Sequence, residues 1–559
     1  MNFKMKTRFL ALAAALLCCY SCIETNSTLG GSLVPTVETY TFYTAEIPLE
    51  GITMQMADNL SGYSTSRATI GAIREPEYGL TTRASAFSLV PIFQDELKLG
   101  KNPVFKRFRL AIGVDTTCVV DPSQANILQQ VYVYELDKAV DPTVDYDVNR
   151  PISHGSKRIT KGTPVLNGVD SLSFEFTEEF GKKYLDITAD DLKDMKSYLA
   201  KFPGIYMETS LPEGDGGRIN MLDVQMGFDK DYLYIMGNYA TLNYSAEFNG
   251  VRKDTTLGFW FGPTEFFDLD SLFEAYSGTF PQYALNYTGQ QTRERAGDAE
   301  DLIWIEGGGG LKPVISARSL KNQVEQAIIQ VGGNPKEAVI NKASLVFPFD
   351  FPDNYKDMKF WPYRLSPTCR LTDKDEDEGT EITTYVGLTD SSSSSENQGD
   401  VDRALVQYAP DITYHVQELV RIDESEADKI STKYLQAGYY DIWLLVMAQE
   451  TTTTVTTASK ETQEMLNYMA YQSYYNGSMY GGYGGYGGYG GYGGYGYGSY
   501  YNNYLTYAMM AQQASQSQTS TSTSIELDVD RYYRATLHGP TSDAGVPMLK
   551  LVFALPNKD

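Results

Sequence analysis

Among the residues able to do chemistry in this chain, Cys22 has the most informative neighbours. Ser21-Cys22 puts a small residue directly before a thiol, and Ile23-Glu24-Thr25-Asn26-Ser27 turns polar at once. Upstream, Lys4, Lys6 and Arg8 make a cationic start, and Phe9 through Leu17 form an apolar run. That run is too short for a hydrocarbon core of about 30 Å, which takes roughly 20 apolar residues. Together the parts describe an export signal over residues 1–21, cut before a cysteine that then carries lipid. The place three residues before the cysteine, where such signals usually hold Leu, is Cys19. An ordinary cleaved signal with incidental cysteines is the competing reading. Each buried methylene of an acyl chain contributes about 0.8 kcal/mol, so several chains on Cys22 would hold the protein at a membrane.

The remaining candidates are weaker. Only Cys118 and Cys369 lie in the body of the chain. In an exported protein they could form a disulfide or stay as buried thiols, and two cysteines alone make a poor metal site. Asp373, Asp375 and Asp377 alternate along an acidic run and are candidates for weak calcium binding. An EF-hand loop needs glycine at its sixth place and glutamate at its twelfth, but here those places hold Glu378 and Thr384. A solvated surface loop is the simpler account, for this run as for Asp400 and Asp402. His154, His415 and His538 are the 3 histidines, and none sits in the local pattern of a zinc protease or a nucleophile elbow. No catalytic residue is therefore assigned, although a scattered triad or a glycosidase carboxylate pair would leave no local trace. Gly307 to Gly310 precede Lys312-Pro313, not the Lys-Ser or Lys-Thr of a phosphate loop, so they read as a turn between strands. No cofactor is implied beyond covalent lipid on Cys22.

The elements that must position these residues are mostly β. Tyr, Val, Thr and Phe are abundant and turn residues recur at short intervals. Strands are expected at 105–112, 131–136, 172–176, 205–208 and 219–224, and a helix after Ile187 opening with Thr188 and Asp191. Residues 229–298 read as a connecting sheet extension. A similar order then recurs, with strands at 340–347, 412–416 and 440–446, an acidic helical stretch from Asp423 to Leu435, and a closing pair at 534–539 and 548–553. The expectation is two antiparallel β-sandwich lobes, jelly-roll-like, at 41–228 and 299–559, with few short helices. A tether at 22–40 precedes them. A low-complexity insertion spans about 451–524, where Tyr483, Tyr486, Tyr489, Tyr492 and Tyr495 recur three apart in a Gly-Gly-Tyr repeat. Such a tract resists core packing, and its tyrosines could act as an interaction surface.

With 46 basic and 71 acidic residues the formal net charge is -25. Nucleic-acid backbones and anionic headgroups would both be repelled, so any membrane contact must come through lipid.

Several segments resemble one family, the Bacteroidetes-type outer-membrane lipoproteins of domain-of-unknown-function family 4270. They are Leu29-Gly30-Gly31-Ser32-Leu33-Val34-Pro35, the stretch from Ile70 to Thr81, Ile305 to Leu311, and Asn341 to Leu345. In the second of these, Glu75 and Tyr78 stand where the family pattern has Asp and Phe. The resemblance implies an outer-membrane address, periplasmic or surface-facing, and a non-enzymatic envelope structural or binding role. Glycan hydrolysis or glycan binding, and adhesion or envelope assembly through the Gly/Tyr tract, are the alternatives. Deleting residues 477–500 is expected to leave the thermal midpoint unchanged in a melting experiment, whereas a loss of several degrees would mean that the tract packs on the core.

Overall fold

The computed structural model describes residues 39–93, 96–140, 146–229, 234–263, 265–266, 282–374, 381–392, 397–457 and 517–557. The fold is mostly β: of the described residues 48% lie in strands and 17% are helical, so helices can only decorate the sheets. All strand pairings among the described residues are antiparallel, and the architecture is β-sandwich-like.

The longer strands of the first half are β1 (Tyr40–Pro48), β2 (Ile52–Met56), β3 (Arg67–Glu75), β4 (Gly79–Phe87), β5 (Lys101–Cys118), β6 (Gln129–Leu136), β7 (Ile205–Thr209), β8 (Gly216–Asp223), β9 (Tyr239–Phe248), β10 (Val251–Phe261) and β11 (Ala284–Gln290). Those of the second are β12 (Leu302–Glu306), β13 (Leu311–Ile315), β14 (Val339–Pro348), β15 (Arg364–Lys374), β16 (Glu381–Gly387), β17 (Ile442–Thr457), β18 (Ser517–Leu527), β19 (Arg534–His538) and β20 (Met548–Pro556). A 14-stranded sheet runs through β6-β7-β4-β3-β8-β5-β9-β10, with β11 on β4. A 7-stranded sheet holds β2-β13-β17-β15-β16, with β18 on β17. A 5-stranded sheet contains β1-β20-β14, and β12 pairs with β19.

The lobe boundaries read from sequence are corrected at the N-terminal side. β1 and β2 belong to sheets of the second half: Tyr40 faces Pro556, Pro48 faces Met548, and Ile52 faces Ile315. Within 229–298, β9, β10 and β11 join the first sheet, whereas Gly297 and Asp298 pair with β2 in the 7-stranded sheet. The strands at 534–538 and 548–556 do not pair with each other. β19 lies on β12, and β20 lies between β1 and β14.

Alternation places the first core. Phe108, Leu110 and Ile112 on β5 are buried while Arg107 and Arg109 point outward. Period-two burial of this kind is what a half-covered strand requires. Phe108 meets Phe176, Tyr184 and Phe259 with ring centroids 4.8, 5.2 and 5.1 Å away. Helix α1 (Glu178–Lys183) delivers Phe180 to this cluster. Thr177 caps it by accepting from the Phe180 N–H, with Glu178 and Glu179 at its positive end and Lys182 and Lys183 at the other. A Cβ on Gly181 would lie 2.2 Å from the Phe105 ring, so the close helix–strand contact needs glycine.

The helix expected after Ile187 starts later than its sequence signal. Thr188 and Asp191 do exchange the reciprocal capping bonds, yet α2 covers only Met195–Lys201, capped by Asp194. In the second half, α3 (Ala317–Gln330) buries Leu320, Val324 and Ile328 at helical spacing.

The expected strand at 412–416 is instead α4 (Thr413–Arg421). Ile412, Val416, Leu419 and Val420 are buried while Tyr414 is 53% exposed, a period near 3.6 that a five-residue window disguises as alternation. Its N-terminal cap comes from a distant residue. Asp390 accepts from the Tyr414 and His415 N–H groups at 2.6 and 3.1 Å. The acidic stretch from 423 is helical only over α5 (Ile430–Gln436).

His415 is buried in α4, and its Nε2 donates to the Tyr440 carbonyl at 3.0 Å. Burial pushes its pKa down from 6.5 to about 4, so the folded chain holds the neutral ring. The unfolded chain binds this proton between those values. The stabilisation is therefore complete above pH 6.5 and is lost as pH falls toward 4, to a total of about 3 kcal/mol. Thermal midpoints of the wild type should drop more steeply across that window than those of His415→Gln, whose amide keeps a donor for Tyr440. Parallel profiles would remove His415 as a source of acid sensitivity.

Candidate functional site at the buried junction

The densest concentration of buried charge lies where the two halves meet. Three segments build it: the β3–β4 hairpin, the glycine turn that links β12 to β13, and the Asp528–Arg534 stretch that leads from β18 into β19.

Glu75 ends β3, and its Oε2 accepts from Nε and Nη2 of Arg534 at 2.7 and 2.5 Å. Both side chains are about 10% exposed. Beside them the Tyr78 and Thr536 hydroxyls are 2.8 Å apart, and Tyr78 meets Trp304 edge-on at 5.1 Å. The Arg534 guanidinium also lies 4.7 Å from the Phe360 ring centre, a cation–π contact away from water.

Arg83 reaches out of β4 to the carbonyls of Val529 and Arg531 at 3.1 and 2.9 Å. Arg67 bridges Asp115 and Asp530 at 2.5 and 3.3 Å. Asp528 accepts from the N–H groups of Gly308 and Arg531 at 2.9 and 3.0 Å. Burial, with the Asp530 carboxylate adding to it, pushes Asp528 up to about 7. Burial likewise raises Glu306, which accepts from the Thr292 hydroxyl.

The glycine run is explained by this packing. Lys312 is buried and turns its ammonium onto the carbonyls of Glu306, Gly308 and Gly310, one acceptor for each proton. Burial pulls its pKa down, while Glu306 and Asp528 oppose that shift. Gly308 adopts φ +57° to aim its N–H at Asp528. A Cβ at Gly307 would sit 2.0 Å from the Asp528 carboxylate, and one at Gly309 2.5 Å from Val148. The turn read from sequence is present, and its role is to cage an internal cation.

The residues singled out in the sequence do not gather here. Cys22, Asp375, Asp377, Tyr483, Tyr486, Tyr489, Tyr492 and Tyr495 lie outside the described residues. Asp373 stands in β15, its backbone opposite Ile382. Of the two alternatives left open for Cys118 and Cys369, a disulfide or free thiols, the structure has free thiols. Cys118 sits at the end of β5 in the larger sheet, whereas Cys369 is in β15 of another, pushed up to about 12 by burial. His154 stacks on Tyr206 and Tyr134 at 4.1 and 4.7 Å, and His538 faces Asp350 at 3.0 Å. Among the described residues no group of three or more His, Cys, Asp or Glu side chains is placed to hold a metal ion. No helix among them is long and apolar enough to cross a membrane.

Arg83, Lys312, Asp528 and Arg534 were missed as site residues by sequence reasoning. Their only local signals are single charges inside otherwise uncharged strand patterns, and the Asp528-Val529-Asp530 pair after a Ser/Thr run. Compared with protein-family models, curated proteins and solved structures, the chain matches none.

Chemically, the cluster is a clamp. Breaking one partner of a buried ion pair costs about 3–5 kcal/mol, because the other charge is left without compensation. Arg534→Met is expected to destabilise by that amount, and Glu75→Gln combined with Arg534→Met to recover part of it. Chemical denaturation of the two single variants and the double variant checks this, and strictly additive losses would show that the residues do not act as a pair.

Proposed function

We propose that this protein is a non-enzymatic, lipid-anchored outer-membrane protein with a structural or binding role in the cell envelope. The reading rests on the Cys22 signal and on the resemblance to family 4270 lipoproteins. One structural observation gives it weight: two of the segments carrying that resemblance, 70–81 and 305–311, converge on the buried junction. An acidic side chain of each is engaged there in architecture, with Glu75 on Arg534 and Glu306 on Thr292. A motif that serves to join two sheet systems fits a scaffold more naturally than a reaction centre.

The test is fractionation with metabolic lipid labelling. Wild-type protein should carry labelled acyl chains and sediment with outer membranes, while Cys22→Ala should be unlabelled and released from them. A Cys22→Ala protein that stayed acylated and membrane-bound would refute the anchor. Turnover on a polysaccharide panel, abolished by one carboxylate substitution, would replace the non-enzymatic reading with glycan hydrolysis.

A further inference from the structure

The end of the second half at which β1 begins carries a cluster of exposed apolar side chains. β1 alternates cleanly: Tyr43, Ala45 and Ile47 turn toward the core, so Tyr40, Phe42, Thr44 and Glu46 take the outer face of the sheet. Tyr40 and Phe42 are 49% and 64% exposed. In register, Tyr40 faces Pro556, and Phe42 and Val339 flank Ala554 from either side. Val339 is exposed as well. The chemistry of this outer face changes along the strands. Two rows beyond Phe42, Glu46 lies 3.8 Å from Lys550, and on β14 Lys342 lies 2.8 Å from Asp411.

The loop after α3 adds to the same end. Gly332 and Gly333 close the helix by donating to the carbonyls of Ile329 and Ile328 at 2.8 and 3.0 Å. Gly332 has φ +77°, the left-handed turn that glycine permits. Gly333 passes so close to β20 that a Cβ would sit 2.5 Å from the Leu555 side chain. The loop is thereby pinned to the end of β20, where Val331 lines one hollow with Thr41, Tyr43 and Leu555. Both Ile329 and Val331 are exposed. Tyr40, Phe42, Ile329, Val331 and Val339 thus gather where β1 and β14 start and where α3 and β20 finish. Of the charges beside them, Lys336 is paired with Asp423 at 2.5 Å, and Glu337 lines the hollow.

We propose that this end is a membrane-docking face, its apolar side chains seated among the headgroups of the bilayer that carries the anchor. The inference rests on the lipid-anchor reading and adds an orientation to it. The place where the chain enters favours this occupant, because only residues 23–39 separate Cys22 from Tyr40. A segment of that length reaches at most about 60 Å. The bilayer is therefore held near β1 at high effective concentration, and a weak contact suffices. Tyr and Phe suit a membrane–water interface, where binding scales with the apolar area buried. The net charge of -25 repels anionic headgroups, so an end whose outer rows begin without charge is the one that can approach. A second copy is the less favoured partner, since contact through this end would bring two such acidic bodies together. Lipid on Cys22 remains the holdfast, and the patch determines which end of the body faces the membrane.

The acylated full-length chain in phosphatidylcholine vesicles tests the proposal, with tryptophan as reporter and acyl-brominated lipid as quencher. Phe42→Trp adds emission at the patch, and Glu46→Trp adds it roughly 13 Å further along the same face. The added emission is expected to be quenched at 42 and not at 46. Val331→Asp with Val339→Asp, placed in the Phe42→Trp chain, should cut that quenching roughly twofold or more with the thermal midpoint unchanged. Equal quenching at the two positions, or none at either, overturns the proposal. So does a reporter at 42 that is shielded from acrylamide but untouched by brominated lipid, because the tether or a second copy would then cover the patch. Flotation of the same vesicles reads the anchor separately. A chain that floats without quenching at 42 refutes the docking face alone, and one that does not float refutes both.

Discussion

The pairing of Glu75 with Arg534 is the contact on which the relation between the two halves depends. It joins the tip of a hairpin in the 14-stranded sheet to a strand that begins only after most of the second half has been threaded. Around it the other charges follow a rule of local cancellation: Arg67 against Asp115 and Asp530, and Lys312 against backbone carbonyls beside Glu306. Each charge left water to get there, and an apolar interface of equal shape would often be more stable. What the charged version contributes is orientation. A hydrophobic face tolerates sliding, whereas a guanidinium bonded to Val529 and Arg531 carbonyls accepts only one placement of its partner.

The glycine turn shows the same constraint at the level of the backbone. Three carbonyls facing inward would normally be an unsatisfied cost in a buried loop. Lys312 supplies the missing donors from within the following strand, so the turn and its cation are one unit. Side chains are excluded from the turn because the space a Cβ would need is already filled by Asp528, Val148 and Gln290.

Much of the fold was legible in the sequence, and the failures share one cause. Apolar and β-branched content located β5 and β6, alternation located the strand at Leu172–Glu175, and turn residues separated most strands correctly, because these signals act within a few residues. The helix at 413–421 was misread as a strand because the residue that caps it, Asp390, lies more than twenty positions away. β1 was assigned to the wrong half for a similar reason, since nothing in Tyr40–Pro48 names β20 as its neighbour. The junction was the least legible part. Arg83 and Lys312 look like ordinary strand charges until the opposing carbonyls are in place, and those carbonyls belong to no side chain at all. The segments at 70–81 and 305–311 were singled out in the sequence, but not that they meet.

The pairing of β1 with β20 carries a temporal consequence. The Thr41 hydroxyl bonds the Asn557 side chain across a sequence separation of 516 residues, and the strands between them align along their full length. During synthesis and any passage through a membrane, β1 must therefore wait without its neighbour until the last strand is available. The 5-stranded sheet cannot close progressively. It closes in a final event, and a chain halted shortly before Met548 would leave the edges of both β1 and β14 open at once. Folding of this half thus waits on the arrival of one strand, β20, between two that precede it by hundreds of residues.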